Sequence, residues 1–229
     1  AELQGVVGVA SPQDWLKAPA PALLLPAGEA MLSALEVAAA SMGGLEGRTF
    51  KWKVATEPDL LERQLLEQLL QRLPPTARLR LDANGGWDRS LAQAWMQRLR
   101  DDPRLDWMEQ PLAVEDQVGL EQLAVLGPVA LDESLHQHPE LRRSWSGWQV
   151  RRPALEGDPR LLLRELQGGV PLRMLSTAFE TGIGRRWLEH LAGLQAQGPT
   201  PAAPGLAPGW TPSGALFCTD PEQVWAAAG

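Results

Sequence analysis

The sequence has few of the residues on which several classes of protein depend. Cys218 is its single cysteine in 229 residues, which excludes an intrachain disulfide and favours a reducing compartment, so we expect a cytoplasmic protein. Acidic residues outnumber basic ones by 28 to 21, for a net charge of −7. A nucleic-acid partner is therefore not expected, because phosphate binding requires clustered basic side chains.

Long hydrophobic runs are also missing. No apolar stretch approaches the ~20 residues that a membrane-spanning helix needs, so we expect no membrane partner. The first residues, AELQGVVGVA, lack the charged start and long apolar centre of a signal peptide. The length is enough for one large domain with a substantial core.

What the sequence does contain is a pair of apolar runs that end in carboxylates. The run Leu105–Met108 is followed by Glu109, and the run Val129–Leu131 is followed by Asp132 and Glu133. The segment between them has helical spacing of apolar residues, which predicts a strand–helix–strand unit. The carboxyl ends of parallel strands face the ligand crevice in α/β folds, so both acids are candidate functional residues.

The same pattern continues in both directions along the chain. Leu79–Leu81 ends in Asp82, the strand Phe50–Val54 carries Lys51 and Lys53 on one face, and residues 147–151 end in Arg152. The steps from residue 53 to 82, 109, 132 and 152 are 29, 27, 23 and 20 residues, and each is long enough for one helical crossover and a strand. The repeat predicts an α/β fold of the (β/α)8-barrel type with charged residues around its mouth.

Apolar periodicity and turn residues predict the remaining elements. Further strands are expected at 22–25 and 172–175, and residues 1–10 are a possible strand. Helices are expected at 28–41, 61–73, 88–99, 158–166 and 183–194, with an irregular loop at 198–214. Asp88 and Asp158 are the expected N-caps of the third and fourth of these helices, and Pro159 is expected at the first helical position of the fourth.

Three carboxylates brought together at a barrel mouth would repel one another unless a cation lay between them. Asp82, Glu109 and Asp132 offer the oxygen ligands that Mg²⁺ prefers, with Mn²⁺ as an alternative. A nearby cation lowers the pKa of a lysine ammonium, which makes a neutral amine available as a general base. Lys53 is the candidate base, and Arg152 is a second candidate cation.

Several of these residues also have simpler interpretations. Each acid alone is more often a helix cap or a surface group, and paired lysines also protect exposed sheet edges. The three histidines, His136, His138 and His190, are interpreted as surface or helix residues, and metal binding by them is not expected. Four tryptophans are interpreted as packing residues: Trp87, Trp95, Trp107 and Trp187. The Asn84-Gly85-Gly86 turn lacks the lysine of a phosphate-binding loop.

At these residues the sequence resembles the enolase superfamily and, within it, the o-succinylbenzoate synthase family. The segments that carry the resemblance are TFKWKVA (49–55), LRLDANGGW (79–87), WMEQPL (107–112), ALDES (130–134), RPALEGDP (152–159), LSTAFETGIG (175–184) and PGL (204–206). The resemblance extends from about residue 22 to the end of the chain.

The resemblance implies a function. It is the Mg²⁺-dependent syn-dehydration of 2-succinyl-6-hydroxy-2,4-cyclohexadiene-1-carboxylate to o-succinylbenzoate, a step of menaquinone or phylloquinone synthesis. In that reaction Lys53 would remove the proton α to the carboxylate, and the metal held by Asp82, Glu109 and Asp132 would stabilise the enediolate. Lys51 would support Lys53, while Asn84 and Ser176 would border the substrate. The alternatives are a cycloisomerase, an epimerase or a non-catalytic metal-binding barrel.

The chain departs from the family in two respects. The family has a lysine at the position of Arg152, and arginine cannot act as a proton carrier because its pKa is too high. We therefore expect one-base dehydration rather than two-base racemisation. Family members also begin with an α+β capping domain, of which we expect at most residues 1–20 to be a remnant, with the barrel at 21–229.

Overall fold

The structure is a computed structural model that describes residues 15–229. The possible strand at 1–10, and most of the expected remnant at 1–20, therefore lie outside the described residues. The chain divides into two compact units. We call Ala22–Gln149 the larger unit and call residues 15–21 together with Val150–Gly229 the terminal unit.

Strands and helices alternate along the chain as the repeat predicts. The strands are β1 (Leu23–Leu25), β2 (Thr49–Lys53), β3 (Arg78–Asp82), β4 (Leu105–Glu109), β5 (Val129–Leu131), β6 (Trp148–Arg151) and β7 (Arg173–Leu175). The α-helices are α1 (Ala30–Met42), α2 (Asp59–Arg72), α3 (Arg89–Leu99), α4 (Gln117–Leu126), α5 (Glu133–Gln137), α6 (Leu141–Ser144), α7 (Pro159–Gln167), α8 (Gly182–Ala196) and α9 (Pro221–Ala227).

The strand order in the sheet follows the order along the chain, β1 to β7. Neighbouring strands from β1 to β6 pair in parallel, which is the topology of a β/α barrel. β2 pairs with β1 on one side and with β3 on the other. The edge-strand interpretation of Lys51 and Lys53 is therefore wrong, because an inner strand has no exposed edge to protect.

The core of the larger unit lies where the sheet meets its helices. Trp52, Trp95 and Leu69 are fully buried there, and Trp87 stacks on Trp95 with ring centroids 5.1 Å apart. Trp107 is also buried, and its ring centroid lies 4.5 Å from that of Trp148. These contacts confirm the packing interpretation of the tryptophans of this unit.

Helix α3 begins as the sequence predicts, because the Asp88 side chain accepts a hydrogen bond from the Leu91 N–H at 2.8 Å. Asp116 caps α4 in the same way through the Gly119 N–H at 3.0 Å. Such caps satisfy N–H groups that have no partner inside the helix. No helix among residues 15–229 is long and apolar enough to cross a membrane.

The terminal unit has its own core, formed by α7, α8 and β7 around Leu163, Leu175 and Leu191. Asp158 caps α7 through the Arg160 N–H, with Pro159 at the first helical position, as predicted. Within residues 198–214 there is no helix or strand, only an isolated bridge between Gly205 and Ser176.

His190 is a helix residue, one of the two interpretations given to the histidines, and within α8 it is buried. Its Nδ1 accepts the Leu16 N–H at 3.0 Å, and its ring contacts Trp15 and Trp187, with centroids 5.2 and 5.9 Å away. The imidazole is a packing group of the terminal unit rather than a surface residue.

Candidate active site

Strand register brings charged residues together at the carboxyl ends of β2, β3 and β4. Lys53 is aligned with Asp82, and Asp82 is aligned with Glu109. Period-2 alternation along β2 places Lys51 and Lys53 on one side and the buried Trp52 on the other. The register therefore aligns Lys53, Asp82 and Glu109 at the ends of three adjacent strands, and Glu109 is aligned with Ala130, two residues before Asp132.

Lys51 links the two nearest acids. Its Nζ lies 2.9 Å from Asp82 Oδ2 and 2.7 Å from Glu109 Oε1. The Lys51 side chain is 13% exposed, that of Asp82 12% and that of Glu109 0%. Each charge is thus compensated inside the protein, as a buried ion requires.

The pKa values follow from this arrangement. Burial alone would lower the pKa of Lys51, but the charges and hydrogen bonds of Glu109 and Asp82 outweigh it, so the pKa is raised above its ordinary value. The pKa of Asp82 is raised by burial and then by the neighbouring Glu109 carboxylate, against the opposing effect of Lys51. Additional positive charge beside Asp82 would therefore stabilise its ionised carboxylate.

Asp132 lies at the carboxyl end of β5 and is 2% exposed. Its Oδ1 is 3.8 Å from His136 Nδ1, one turn along in α5. It precedes the first residue of α5 but makes no side-chain cap bond to the helix. The structure therefore does not support the interpretation of the Asp132 side chain as a helix cap.

Asn84 and Glu133 join the loops that follow β3 and β5. Asn84 Nδ2 donates to Glu133 Oε1 at 2.7 Å, and Asn84 adopts the left-handed backbone conformation, with φ of 44°. Burial raises the pKa of Glu133, with the charges of Asp132 and Asp82 contributing in the same direction. Asn84 is thus held by Glu133, the residue that follows Asp132.

The donor set is chemically suited to Mg²⁺, because carboxylate oxygens are the ligands that this ion prefers. Within residues 15–229, no group of three or more His, Cys, Asp or Glu side chains is arranged to hold a metal ion. Lys51 takes the position between Asp82 and Glu109 instead. Asp82 Oδ1 is buried without a hydrogen-bond partner among the described residues, and such an oxygen fits a hard cation.

Arg152 and Ser176 belong to the terminal unit. Arg152 Nη1 donates to the Thr177 carbonyl oxygen at 2.7 Å, and its backbone N–H donates to Glu156 Oε1 at 3.1 Å. Ser176 is buried and its hydroxyl donates to the Gly205 carbonyl oxygen at 3.3 Å. The strand-end placement of Arg152 after β6 agrees with the prediction, and both residues are held by close contacts.

Sequence reasoning missed two buried polar residues that border the site. Gln110 is 0% exposed and follows Glu109 directly, while Arg80 is 0% exposed and lies two residues before Asp82 on β3. Arg80 pairs with Asp106 at 3.0 Å, and its guanidinium lies 3.9 Å from the centre of the Trp107 ring. Polar alternation in the strand RLRLD and the polar residue before Pro111 were the available signals.

Comparisons with known proteins agree with this geometry. The "Enolase C-terminal domain-like" family matches residues 32–147. An o-succinylbenzoate synthase of Thermosynechococcus vestitus is 40% identical over 153 residues, which cover 62% of this chain and 48% of that protein. A hydrophobic dipeptide epimerase of a Flavobacteria bacterium is 40% identical over 76 residues, covering 32% of this chain and 22% of that protein.

A solved structure gives the same relationship over most of the chain. The o-succinylbenzoate synthase of Thermosynechococcus elongatus, crystallised with magnesium in its active site, superposes with a TM-score of 0.72 at 31% identity. The alignment covers 94% of this chain and 69% of that one. The chain spans about half the length of its synthase relative and about a fifth of its epimerase relative. Since the family match covers half of its residues and the strand order is that of the barrel, the chain belongs to the enolase C-terminal domain-like family.

Proposed function

We propose that this chain is the barrel domain of an o-succinylbenzoate synthase. The reaction is the Mg²⁺-dependent dehydration of 2-succinyl-6-hydroxy-2,4-cyclohexadiene-1-carboxylate to o-succinylbenzoate. The observation that carries the proposal is the alignment of Lys53, Asp82 and Glu109 at adjacent strand ends. The 40% identity to an o-succinylbenzoate synthase supports the choice of reaction.

Lys53 is the proposed base. Its neutral amine takes the proton from the carbon α to the substrate carboxylate, and the electron pair of that C–H bond forms the new double bond. The hydroxyl leaves as water after the Lys53 ammonium returns the proton to it. One residue therefore serves as base and then as acid, which a syn elimination permits because both groups leave from one face.

Asp82, Glu109 and Asp132 are the residues that would hold Mg²⁺. When bound, the cation supplies positive charge beside the substrate carboxylate, where negative charge develops as the proton leaves. Lys51 adds a fixed positive charge next to Asp82 and Glu109. Arg152 is the proposed second cation, and its contact with the Thr177 carbonyl oxygen fixes its guanidinium.

A second candidate is a dipeptide epimerase, which the 76-residue match favours. Epimerisation needs a proton carrier on each face of the substrate. Arginine at position 152 keeps its proton at any physiological pH, so this position supplies charge but no second base. Dehydration therefore remains the preferred function, with a small carboxylate as substrate and, given a single cysteine, a cytoplasmic location.

The test is a dehydration assay with Mg²⁺, run on the chain beside the Lys53→Ala and Lys17→Ala variants. Product formation is followed by absorbance, and epimerase activity is followed by deuterium uptake into an L-Ala dipeptide. A general base contributes roughly 10²- to 10⁴-fold, so Lys53→Ala should lose at least about 100-fold while Lys17→Ala is unchanged.

Three results would decide against the proposal. Deuterium uptake without dehydration would identify an epimerase. Metal binding without either activity would identify a non-catalytic barrel. Equal turnover in Lys53→Ala would remove Lys53 from the chemistry.

A further inference from the structure

Gln110 connects the three strand ends that carry the acids. Its backbone N–H donates to the Ala130 carbonyl oxygen at 2.8 Å, and its own carbonyl oxygen accepts the Gly85 N–H at 2.6 Å. The first bond ties β4 to β5, and the second ties β4 to the loop that follows Asp82. Gln110 is thus bonded to both neighbours of its strand immediately after Glu109.

The side-chain amide of Gln110 makes two acceptor and two donor hydrogen bonds in the same region. Oε1 accepts the N–H groups of Asp132 and Ser134 at 3.2 and 3.0 Å. Nε2 donates to the Leu112 carbonyl oxygen at 3.0 Å and to Ser134 Oγ at 2.7 Å. A buried amide with two acceptor and two donor bonds has no spare capacity, so its orientation is fixed.

The backbone at Gln110 is unusual in a way that matches this role. Its φ is 37°, a left-handed conformation that costs free energy for a residue other than glycine. The side chain is 0% exposed, so solvent contact does not compensate for this cost. The six hydrogen bonds of Gln110 are what holds the conformation.

We propose that Gln110 is a positioning residue that sets the distance between Glu109 and Asp132. Glu109 is its covalent neighbour, and the Asp132 N–H is hydrogen-bonded to its side chain. Both acids are therefore attached to the same rigidly held residue. The inference rests on the proposed function in so far as Glu109 and Asp132 hold a metal. The inference predicts that the affinity for a divalent cation depends on Gln110, although Gln110 does not contact the cation.

The experiment measures Mn²⁺ binding by electron paramagnetic resonance, with free Mn²⁺ quantified in the intact chain and in Gln110→Met. Methionine has the length of glutamine but makes none of its four side-chain hydrogen bonds. Groups that hydrogen-bond to metal ligands change metal affinity by roughly 10- to 100-fold, so the dissociation constant should rise at least about 10-fold. Hydrogen exchange at the Asp132 and Ser134 amides should accelerate in the same variant.

Gln149→Met is the matched control. Gln149 is also a 0% exposed glutamine, and its Nε2 donates to the Arg142 and Trp145 carbonyl oxygens at 3.1 and 3.2 Å. Gln149 is aligned with Leu131 on β5, but these amide bonds join it to Arg142 and Trp145 rather than to Glu109 or Asp132, so Mn²⁺ affinity should change by less than the roughly 10-fold expected for Gln110→Met. If Gln110→Met does not fold, Gln110→Asn, which shortens the side chain by one methylene, is compared instead.

The outcomes separate this inference from the proposed function. Unchanged Mn²⁺ affinity in a folded Gln110 variant would overturn the inference while the metal site stands. An equal loss in Gln149→Met would also overturn it, because the effect would then be general destabilisation. No Mn²⁺ binding and no dehydration by the intact chain would overturn both.

Discussion

At the scale of single residues, Lys51 is the side chain that compensates the charge of two acids at once. Its ammonium is the partner of two buried carboxylates, those of Asp82 and Glu109. The sequence placed Lys51 on the correct face of β2 from its alternation with Trp52. That it touches both acids at 2.7–2.9 Å could not be predicted, because such contacts depend on the register of three strands.

Lys51→Met tests this arrangement through stability. Removal of one partner of a buried charge cluster costs about 3–5 kcal/mol, so the variant should lose this much free energy of unfolding in EDTA. Mg²⁺ should restore more stability to Lys51→Met than it adds to the parent chain, since a cation replaces the missing ammonium. Urea unfolding with and without Mg²⁺ measures both effects.

Lys17→Met is the control, because Lys17 is exposed and its loss should be nearly neutral. Equal unfolding curves for the parent and Lys51→Met in EDTA would mean that Lys51 does not compensate the buried acids.

His190 predicts a pH dependence of stability. Burial lowers its pKa below the ordinary value of 6.5, and its Nδ1 accepts the Leu16 N–H, which a protonated ring cannot do. As pH falls through 6.5, the unfolded chain takes up a proton that the folded chain does not, so stability decreases with falling pH.

His190→Gln keeps an acceptor but does not titrate. Its stability should therefore fall less between pH 7.5 and pH 5 than that of the parent chain, by at most about 1.4 kcal/mol per pH unit. Parallel pH profiles for His190→Gln and the parent would show that His190 makes no contribution.

At the scale of elements, Glu62 of α2 holds the loop that follows Lys53. Its buried carboxylate accepts three successive backbone N–H groups, those of Ala55, Thr56 and Glu57, at 3.0, 3.0 and 3.2 Å. Successive N–H groups of this kind form an anion-binding concavity. Here the anion is supplied by the next helix, so β2 and α2 are joined at the end where Lys53 lies.

Glu62→Ala should therefore destabilise the chain by about 1.5–3 kcal/mol, since hydrogen bonds to charged groups contribute about this much. Glu67→Ala, on the same helix, removes only the exposed pair with Arg98 and should cost at most about 1 kcal/mol. Chemical denaturation of both variants makes the comparison. A smaller loss in Glu62→Ala than in Glu67→Ala would contradict this account.

The elements that the sequence predicted share strong local signals. Asp88 and Asp158 cap the helices that they were expected to begin, because a capping aspartate acts within three residues of itself. The helices at Glu133–Gln137 and Leu141–Ser144 were missed, since five and four residues are too few for apolar periodicity. Helix Pro221–Ala227 was also missed, although Asp220 and Pro221 repeat the signal of Asp158 and Pro159.

At the scale of the whole molecule, the repeat of charged strand ends was sufficient to predict the fold class. A charged residue at the end of each of five successive strands, at steps of 20–29 residues, predicts parallel strands that share an edge. Gln110 shows why the rest of the site needed a structure. Its four side-chain bonds reach residues up to 24 positions away, and no local pattern encodes them.

Metal binding should be visible as a property of the whole chain. A ligand that binds only the folded state stabilises it by about 2.7 kcal/mol at 100 times its dissociation constant. Mg²⁺ at that concentration should raise the melting temperature of the parent chain. It should have little effect on Asp82→Asn, because that variant lacks a full negative charge where Asp82 Oδ1 is buried without a partner among the described residues.

Asp101→Asn provides the matched control for this comparison. Asp101 is 87% exposed and pairs only loosely with Arg100, at 3.5 Å, so the same chemical change there should leave the Mg²⁺ response intact. Calorimetry of the three proteins with Mg²⁺ and with EDTA would decide the matter. A response that survives in Asp82→Asn would place the cation elsewhere, because a site built on the carboxylates of β3 and β4 cannot lose one of them and bind equally well.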